Sequence, residues 1–128
     1  MAKRITMAHG DGGEQAHQLI QDLFVEQFAH HKEATLDAAI LTLPTEKIAM
    51  STDSFVVNPI FFPGGNIGKL AVAGTVNDIA VSGAKPLYLT CGFILEEGFL
   101  ISDLEKIVTS MVEEAQKNQV KIVAGDTK

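Results

Sequence analysis

"GTVNDIAVSGAKP", Gly74 to Pro86, decides how this chain is built. Small and apolar residues dominate it, so it reads as the second half of a helix that starts near Ile67 and runs to about Ser82. Gly83 is the expected stop, because glycine tolerates the left-handed cap, and Pro86 lies just beyond. Asn77 and Asp78 interrupt the apolar face. A carboxylate among apolar neighbours is costly unless it is paired or coordinated. The stretch is therefore either a plain packing helix or one wall of a site.

Outward from this helix the elements follow in order. "LYLTCGFIL" (87–95) is a nearly continuous apolar run of strand length, which suits a central strand. Beyond it, Leu104, Ile107, Val108, Met111, Val112 and Ala115 recur at helical spacing, and Ser102 with Glu105 has the form of a capping box. "VKIVAG" (120–125) reads as a last strand, followed by "DTK". Upstream, "NPIFFPGGN" (58–66) reads as a loop, marked by two prolines and two glycines. "DAAILTL" and "IAMSTDSFVV", separated by "PTEK", suggest a hairpin. Ala16, Leu19, Ile20, Leu23, Phe24 and Phe28 line one face of a helix from Glu14 to about His30. Residues 1–13 read as a flexible arm ending in the glycine-rich "HGDGG". The order α-β-β-α-β-α-β predicts an α/β (α+β) domain: a mixed four-stranded sheet with helices packed on it.

Bulk properties narrow the function. The 128 residues fit one domain, and at 46% hydrophobic and 20% charged they are globular in composition. A net charge of −6, from ten basic and sixteen acidic residues, argues against nucleic acid as a partner. An anionic chain still binds a polyphosphate when a metal ion bridges the two. No secretory signal and no apolar run of about 18 residues is visible, so no membrane span is expected. The single cysteine, Cys91, excludes an intrachain disulfide and suits a reducing, cytoplasmic setting.

Four acids stand out. Asp37 opens a strand, Asp53 sits within one, Asp78 lies on the small-residue helix and Asp126 follows the last strand. Together they are an oxygen-ligand set suited to magnesium, which keeps waters and adds substrate phosphates. Taken one by one, each is equally a turn or surface acid. "GGNIGK" (64–69) is not a phosphate loop, because Pro63 stands where the first glycine belongs and Leu70 where the hydroxyl belongs. A glycine-rich helix start with Lys69 still attracts anions in principle; the alternative is a turn with a solvated lysine. Cys91, in an apolar run, reads as a buried inert thiol. His30 and His31 suit a helix C-terminus, and His9 lies next to a loop that could touch a ligand.

"STDSFVVNPIFFPGGNIGKLAVAGTVNDIAVSGAKPLYLTCGFILEEGF" and "IVAGDTK" together resemble the amino-terminal domain of the family of aminoimidazole ribonucleotide synthetase, selenophosphate synthetase and thiamine-monophosphate kinase. "FFPGGNIGKLAV" and "CGFILEEGF" are similar to its hydrogenase-maturation branch, and Asp78 to Pro86 matches the Asp-x4-Gly-Ala-x-Pro pattern of the whole family. The resemblance implies a homodimer whose sheets join into a barrel with the helices outside, binding ATP and magnesium between protomers. It implies that Asp37, Asp53, Asp78 and Asp126 hold metal, with Asp53, Asp126, Thr127 and Lys69 toward the nucleotide phosphates. That branch dehydrates a carboxamide on its own C-terminal cysteine to a thiocyanate, the source of hydrogenase cyanide. Its partners are other hydrogenase-maturation proteins, namely a carbamoyltransferase and iron-cyanide scaffold proteins. The family's carboxy-terminal domain and acceptor cysteine are absent from these 128 residues, so the catalytic residues are unknown and turnover by this chain alone is not expected. Two alternatives remain: a non-catalytic assembly module, and a thiamine-monophosphate kinase-like ATP-binding domain. Asp11 stands where an uncharged small residue is expected, and either repels phosphate or adds a metal ligand.

Overall fold

The computed structural model of the chain describes residues 1–28 and 38–128. Asp37, His30 and His31 lie outside the described residues.

The central helix forms where the small-residue stretch predicts it. α3 runs Ile67–Val81, after α1 (Glu14–Leu19) and α2 (Glu26–Phe28). Asn66 caps α3, its side-chain oxygen accepting from the N–H groups of Gly68 at 2.9 Å and Lys69 at 3.2 Å. At the other end Gly83 adopts φ +78°. Its N–H donates to Ala80, and that of Ala84 donates to Ile79, so the two bonds close the last carbonyls in a Schellman motif. α1 continues through a π-helical segment, Ile20–Val25, into α2.

α4, Ile101–Lys117, buries Leu104, Ile107, Val108, Met111 and Ala115 as its periodicity predicts. Its start differs from the expectation. Leu100 is the N-cap, without a side-chain bond, and Ser102 with Glu105 makes no capping box. The reason lies at the chain's beginning. Residues 3–5 run antiparallel to 98–101, so the Ile101 N–H donates to the Lys3 carbonyl and the Ile5 N–H to Phe99. That pairing satisfies the first N–H of α4 from outside the helix, and Leu100 takes the N-cap position ahead of Ser102. The arm expected over residues 1–13 is tied down at Ile5, which is 4% exposed, and continues into a short 3-10 turn, Met7–His9.

The strands pair as two two-stranded sheets, where one four-stranded sheet was expected. β1 (Phe61–Phe62) and β2 (Gly65–Asn66) form a small antiparallel hairpin inside the stretch read as a loop. Pro63 and Gly64 make its turn, with Gly64 at φ +96° as the third position of a type II turn requires. β3 (Tyr88–Phe93) and β4 (Lys121–Thr127) are parallel and joined by α4. A register shift after Leu89 leaves Val123 unpaired and sets Cys91 opposite Gly125. A Cβ at Gly125 would collide with the Cys91 carbonyl, so the close approach needs glycine there. The predicted hairpin over 37–57 is not formed: residues 38–57 carry no strand. Ile40, Ile48, Met50 and Val56 of that segment are solvent-exposed, with no layer over them among the described residues.

α4 divides the core. Ile107, Met111 and Ala115 pack with Val72 and Val76 of α3 and with Val120 and Ile122. Leu104 and Val108 pack with Ile5, Leu19, Leu23 and Phe24. Glycine on α3 allows a close approach at two points. A Cβ at Gly68 would lie 2.5 Å from the Ile107 carbonyl oxygen of α4, and one at Gly74 would lie 2.8 Å from the Phe55 ring.

Candidate functional site

A groove of about 770 Å³ opens between the "HGDGG" loop with the first helix and the C-terminal ends of β3 and β4. The fold puts it there. Docking of residues 3–5 beside 98–101 carries the loop across the strand ends, where a Cβ at Gly10 would lie 3.8 Å from the Lys128 carbonyl carbon. Phe24 stacks on Phe93 at 4.8 Å between ring centroids and forms the apolar wall with Phe28. Asp126 and Thr127 from β4 and Asp11 from the loop form the polar rim. A smaller cavity of about 330 Å³ adjoins it and shares Asp11, Thr127 and Lys128.

Asp126 is exposed, with Lys128 Nζ at 3.2 Å. Asp11 Oδ1 accepts from the Gly13 N–H at 2.8 Å. His9 folds back, its Nδ1 lying 3.0 Å from the Thr6 nitrogen and 2.9 Å from the Thr6 hydroxyl. Cys91 lines the groove but is a poor nucleophile: burial pushes its thiol up to about 11 from the ordinary 9.0, so at neutral pH it carries almost no thiolate.

Asp53 and Asp78 sit apart from this groove. Asp53 is exposed on the strandless segment, and its Oδ1 accepts from the Ser54 N–H at 2.9 Å. Asp78 is exposed on α3. Among the described residues no group of three or more His, Cys, Asp or Glu is gathered as a metal cage. Lys69 Nζ donates to the Gly64 carbonyl at 3.0 Å. Since Asn66 fills the first N–H groups of α3, the anion-attracting helix start anticipated there is closed by its own cap. Asn66 is 6% exposed and also donates to the Ser110 hydroxyl at 2.7 Å, pinning α3 to α4.

The aromatic wall escaped sequence reading, because Phe24 and Phe93 meet only in the folded chain. Asp11 was visible as an acid among glycines. No helix among the described residues is long and apolar enough to cross a membrane.

Comparison with known proteins follows this geometry. Residues 35–128 match the family described as AIR synthase related protein, N-terminal domain. The carbamoyl dehydratase HypE of Escherichia coli K12 is 54% identical over 130 residues, which cover 97% of this chain and 39% of that protein. The carbamoyl dehydratase HypE of Cupriavidus necator is 52% identical, over 98% of this chain and 36% of its own length. The chain thus spans little more than a third of these relatives. Among solved structures, the hydrogenase maturation protein HypE in complex with ATP superposes with a TM-score of 0.90 at 56% identity, over 94% of this chain and 36% of that one. HypE from a HypE–HypF complex superposes at 0.64 with 53% identity, over 91% and 36%. The described chain is a mixed α/β structure, and with its residues 35–128 it belongs to the family of AIR synthase related proteins, as their N-terminal domain.

Proposed function

We propose that this chain is the ATP-binding and dimerising part of a hydrogenase-maturation carbamoyl dehydratase. The observation that carries the reading is its likeness, across 94% of its length, to a HypE solved with ATP. In the proposed reaction ATP phosphorylates the oxygen of a carboxamide on a C-terminal cysteine. An amide oxygen is a poor leaving group and phosphate a good one, so loss of phosphate and a proton leaves the nitrile of a thiocyanate. The 128 residues contribute the nucleotide site and not the acceptor cysteine.

Asp37, Asp53, Asp78 and Asp126 are the residues proposed to hold magnesium. Their carboxylates are the hard oxygen donors that this ion takes, and Asp53 and Asp78 face solvent with ligand capacity to spare. Magnesium needs only one or two protein carboxylates, since water and phosphate oxygens complete its shell. When bound it would neutralise charge on the nucleotide. Thr127, on the groove rim, is proposed as a phosphate contact together with Asp53 and Asp126; Lys69 would reach a phosphate only on leaving the Gly64 carbonyl.

The proposal includes a homodimer in which strands from residues 37–57 complete four-stranded sheets that close into a barrel. Exposed Ile48, Met50 and Val56, together with the open edges of the β3–β4 pair, support it. It also includes a cytoplasmic setting and docking with other maturation proteins, for which the HypE–HypF complex is the precedent.

Calorimetric titration with a non-hydrolysable ATP analogue tests the nucleotide reading. Binding that requires magnesium is expected, and no heat at millimolar ligand overturns it. The same exposed segment favours a second reading, a purely structural assembly module. Light scattering separates the two, since a dimer indifferent to nucleotide supports the module.

A further inference from the structure

We propose that Ile5 is a positioning residue for the groove: it latches residues 3–5 to 98–101, and the latch opens as one unit, separately from the core, carrying the "HGDGG" loop with it. The inference rests on reading the groove as the site proposed above. Ile5 is buried in the core cluster of Leu19, Leu23, Phe24, Leu104 and Val108. Its N–H donates to the Phe99 carbonyl at 2.7 Å, and its carbonyl accepts from the Gly98 N–H at 2.8 Å. Beside it, Arg4 Nη1 donates to the Gly98 carbonyl at 2.6 Å, and the Ile101 N–H donates to the Lys3 carbonyl at 3.1 Å.

Past the latch the chain is braced on itself. The His9 N–H donates to the Thr6 carbonyl at 3.0 Å, the Thr6 N–H to His9 Nδ1 at 3.0 Å, and the Gly10 N–H to the Met7 carbonyl at 3.0 Å. From Thr6 to Gln15 no residue is buried, so Ile5 and Ala16 are the anchors that flank the loop. Gly12, at φ +78°, gives the half nearer Ala16 its backbone freedom. The latch therefore sets where the braced half lies, and with it His9, which lines both the groove and the adjoining cavity. An element held by one buried side chain and a few hydrogen bonds opens more readily than a packed core. Opening also takes the partner from the first N–H of α4, so the start of α4 and the loop respond to the same event.

Native-state hydrogen exchange, followed by NMR on the unsubstituted chain, tests the unit. The amides of Ile5, Gly98 and Ile101 should share one opening, with a weaker urea dependence than the amides of β3 and β4. Unequal openings among the three, or the urea dependence of the strands, overturn the inference. Ile5→Ala should raise the open-to-closed ratio about thirtyfold, and Ile5→Val by no more than about fivefold. The His9 imidazole signals should move toward those of free histidine in Ile5→Ala and return in Ile5→Val; signals that stay in place in Ile5→Ala refute the latch. Should Ile5→Ala fail to fold, Arg4→Ala removes only an exposed side chain. It should speed exchange at the three amides alike, by about fivefold, and unequal acceleration counts against a single unit. Calorimetric affinity for a non-hydrolysable ATP analogue with magnesium should fall by the closed fraction that the His9 signals give. A loss unrelated to that fraction overturns the positioning role. If the unsubstituted chain binds no nucleotide, the ATP reading falls by itself, and the exchange and His9 results still decide the latch.

Discussion

Residues 38–57 are more apolar in sequence than residues 100–128, yet the two are opposite in structure. In the second region Leu104, Ile107, Val108, Met111 and Ala115 of the helical stripe have a facing layer: Leu104 is 1% exposed and Val108 fully buried. In the first, Met50 is 87% and Val56 99% exposed. The contrast teaches that an apolar pattern specifies a face and not its cover. A helix such as α4 finds its cover in α3 and α1 of the same chain. A strand also needs hydrogen-bonding neighbours, and among the described residues none pairs with residues 38–57.

Truncation should expose this difference at once. Leu104→Ala removes a fully packed side chain and should cost about 3 kcal/mol in urea unfolding. Ile48→Ala, at 59% exposure, should stay within about 0.5 kcal/mol in a dilute monomeric sample. A large Ile48 effect that grows with protein concentration would mean that a second copy covers the segment.

Glycine offers a finer comparison, because both test sites lie on α3 and gain the same helix propensity. Gly68→Ala drives a Cβ into the Ile107 carbonyl and the Met111 side chain of α4, where backbone must move. A loss of about 2 kcal/mol is expected. Gly74→Ala meets only the far end of the Phe55 ring, on the loosely covered segment, and that ring can swing away. Its cost should be offset by the propensity gain of about 1 kcal/mol, for a net change near zero. Equal losses at the two sites would show that Phe55 is held as firmly as α4.

What was legible in the sequence follows the same division. The α4 stripe and the Gly83 stop were readable because each depends on neighbours within a turn or two. The helix start at Leu100 was not, since Lys3, whose carbonyl accepts from the Ile101 N–H, is remote in sequence. The Pro63–Gly64 hairpin reads as a loop in sequence because turn residues mark both. At the candidate site, Asp126 and Thr127 could be picked out from the end of a strand, and they line the groove. The opposing wall could not be picked out, because Phe24 and Phe93 meet only through the docking of the first helix. Asp53 and Asp78 were chosen as oddly placed acids, yet a single copy leaves them solvent-facing, and periodicity carries no information on what a second copy would bring near them.

Burial at the groove itself is probed by pH. Cys91 in the packed region has its thiol raised to about 11 by desolvation. The folded state holds the neutral form, and the unfolded chain ionises first. The Cys91 contribution to stability is therefore complete below the ordinary 9.0 and declines as pH rises through 9.0 toward 11. The difference in urea midpoint between the unsubstituted chain and Cys91→Ser should narrow over that window and stay flat below it. A cysteine placed in the exposed region by Met50→Cys, in the Cys91→Ser background, provides the contrast. Its alkylation by iodoacetamide should level off near the ordinary thiol range, whereas the rate at Cys91 keeps climbing to about 11. Coincident pH profiles would mean that water reaches the Cys91 thiol freely and that the groove wall beside Phe93 is open at its base.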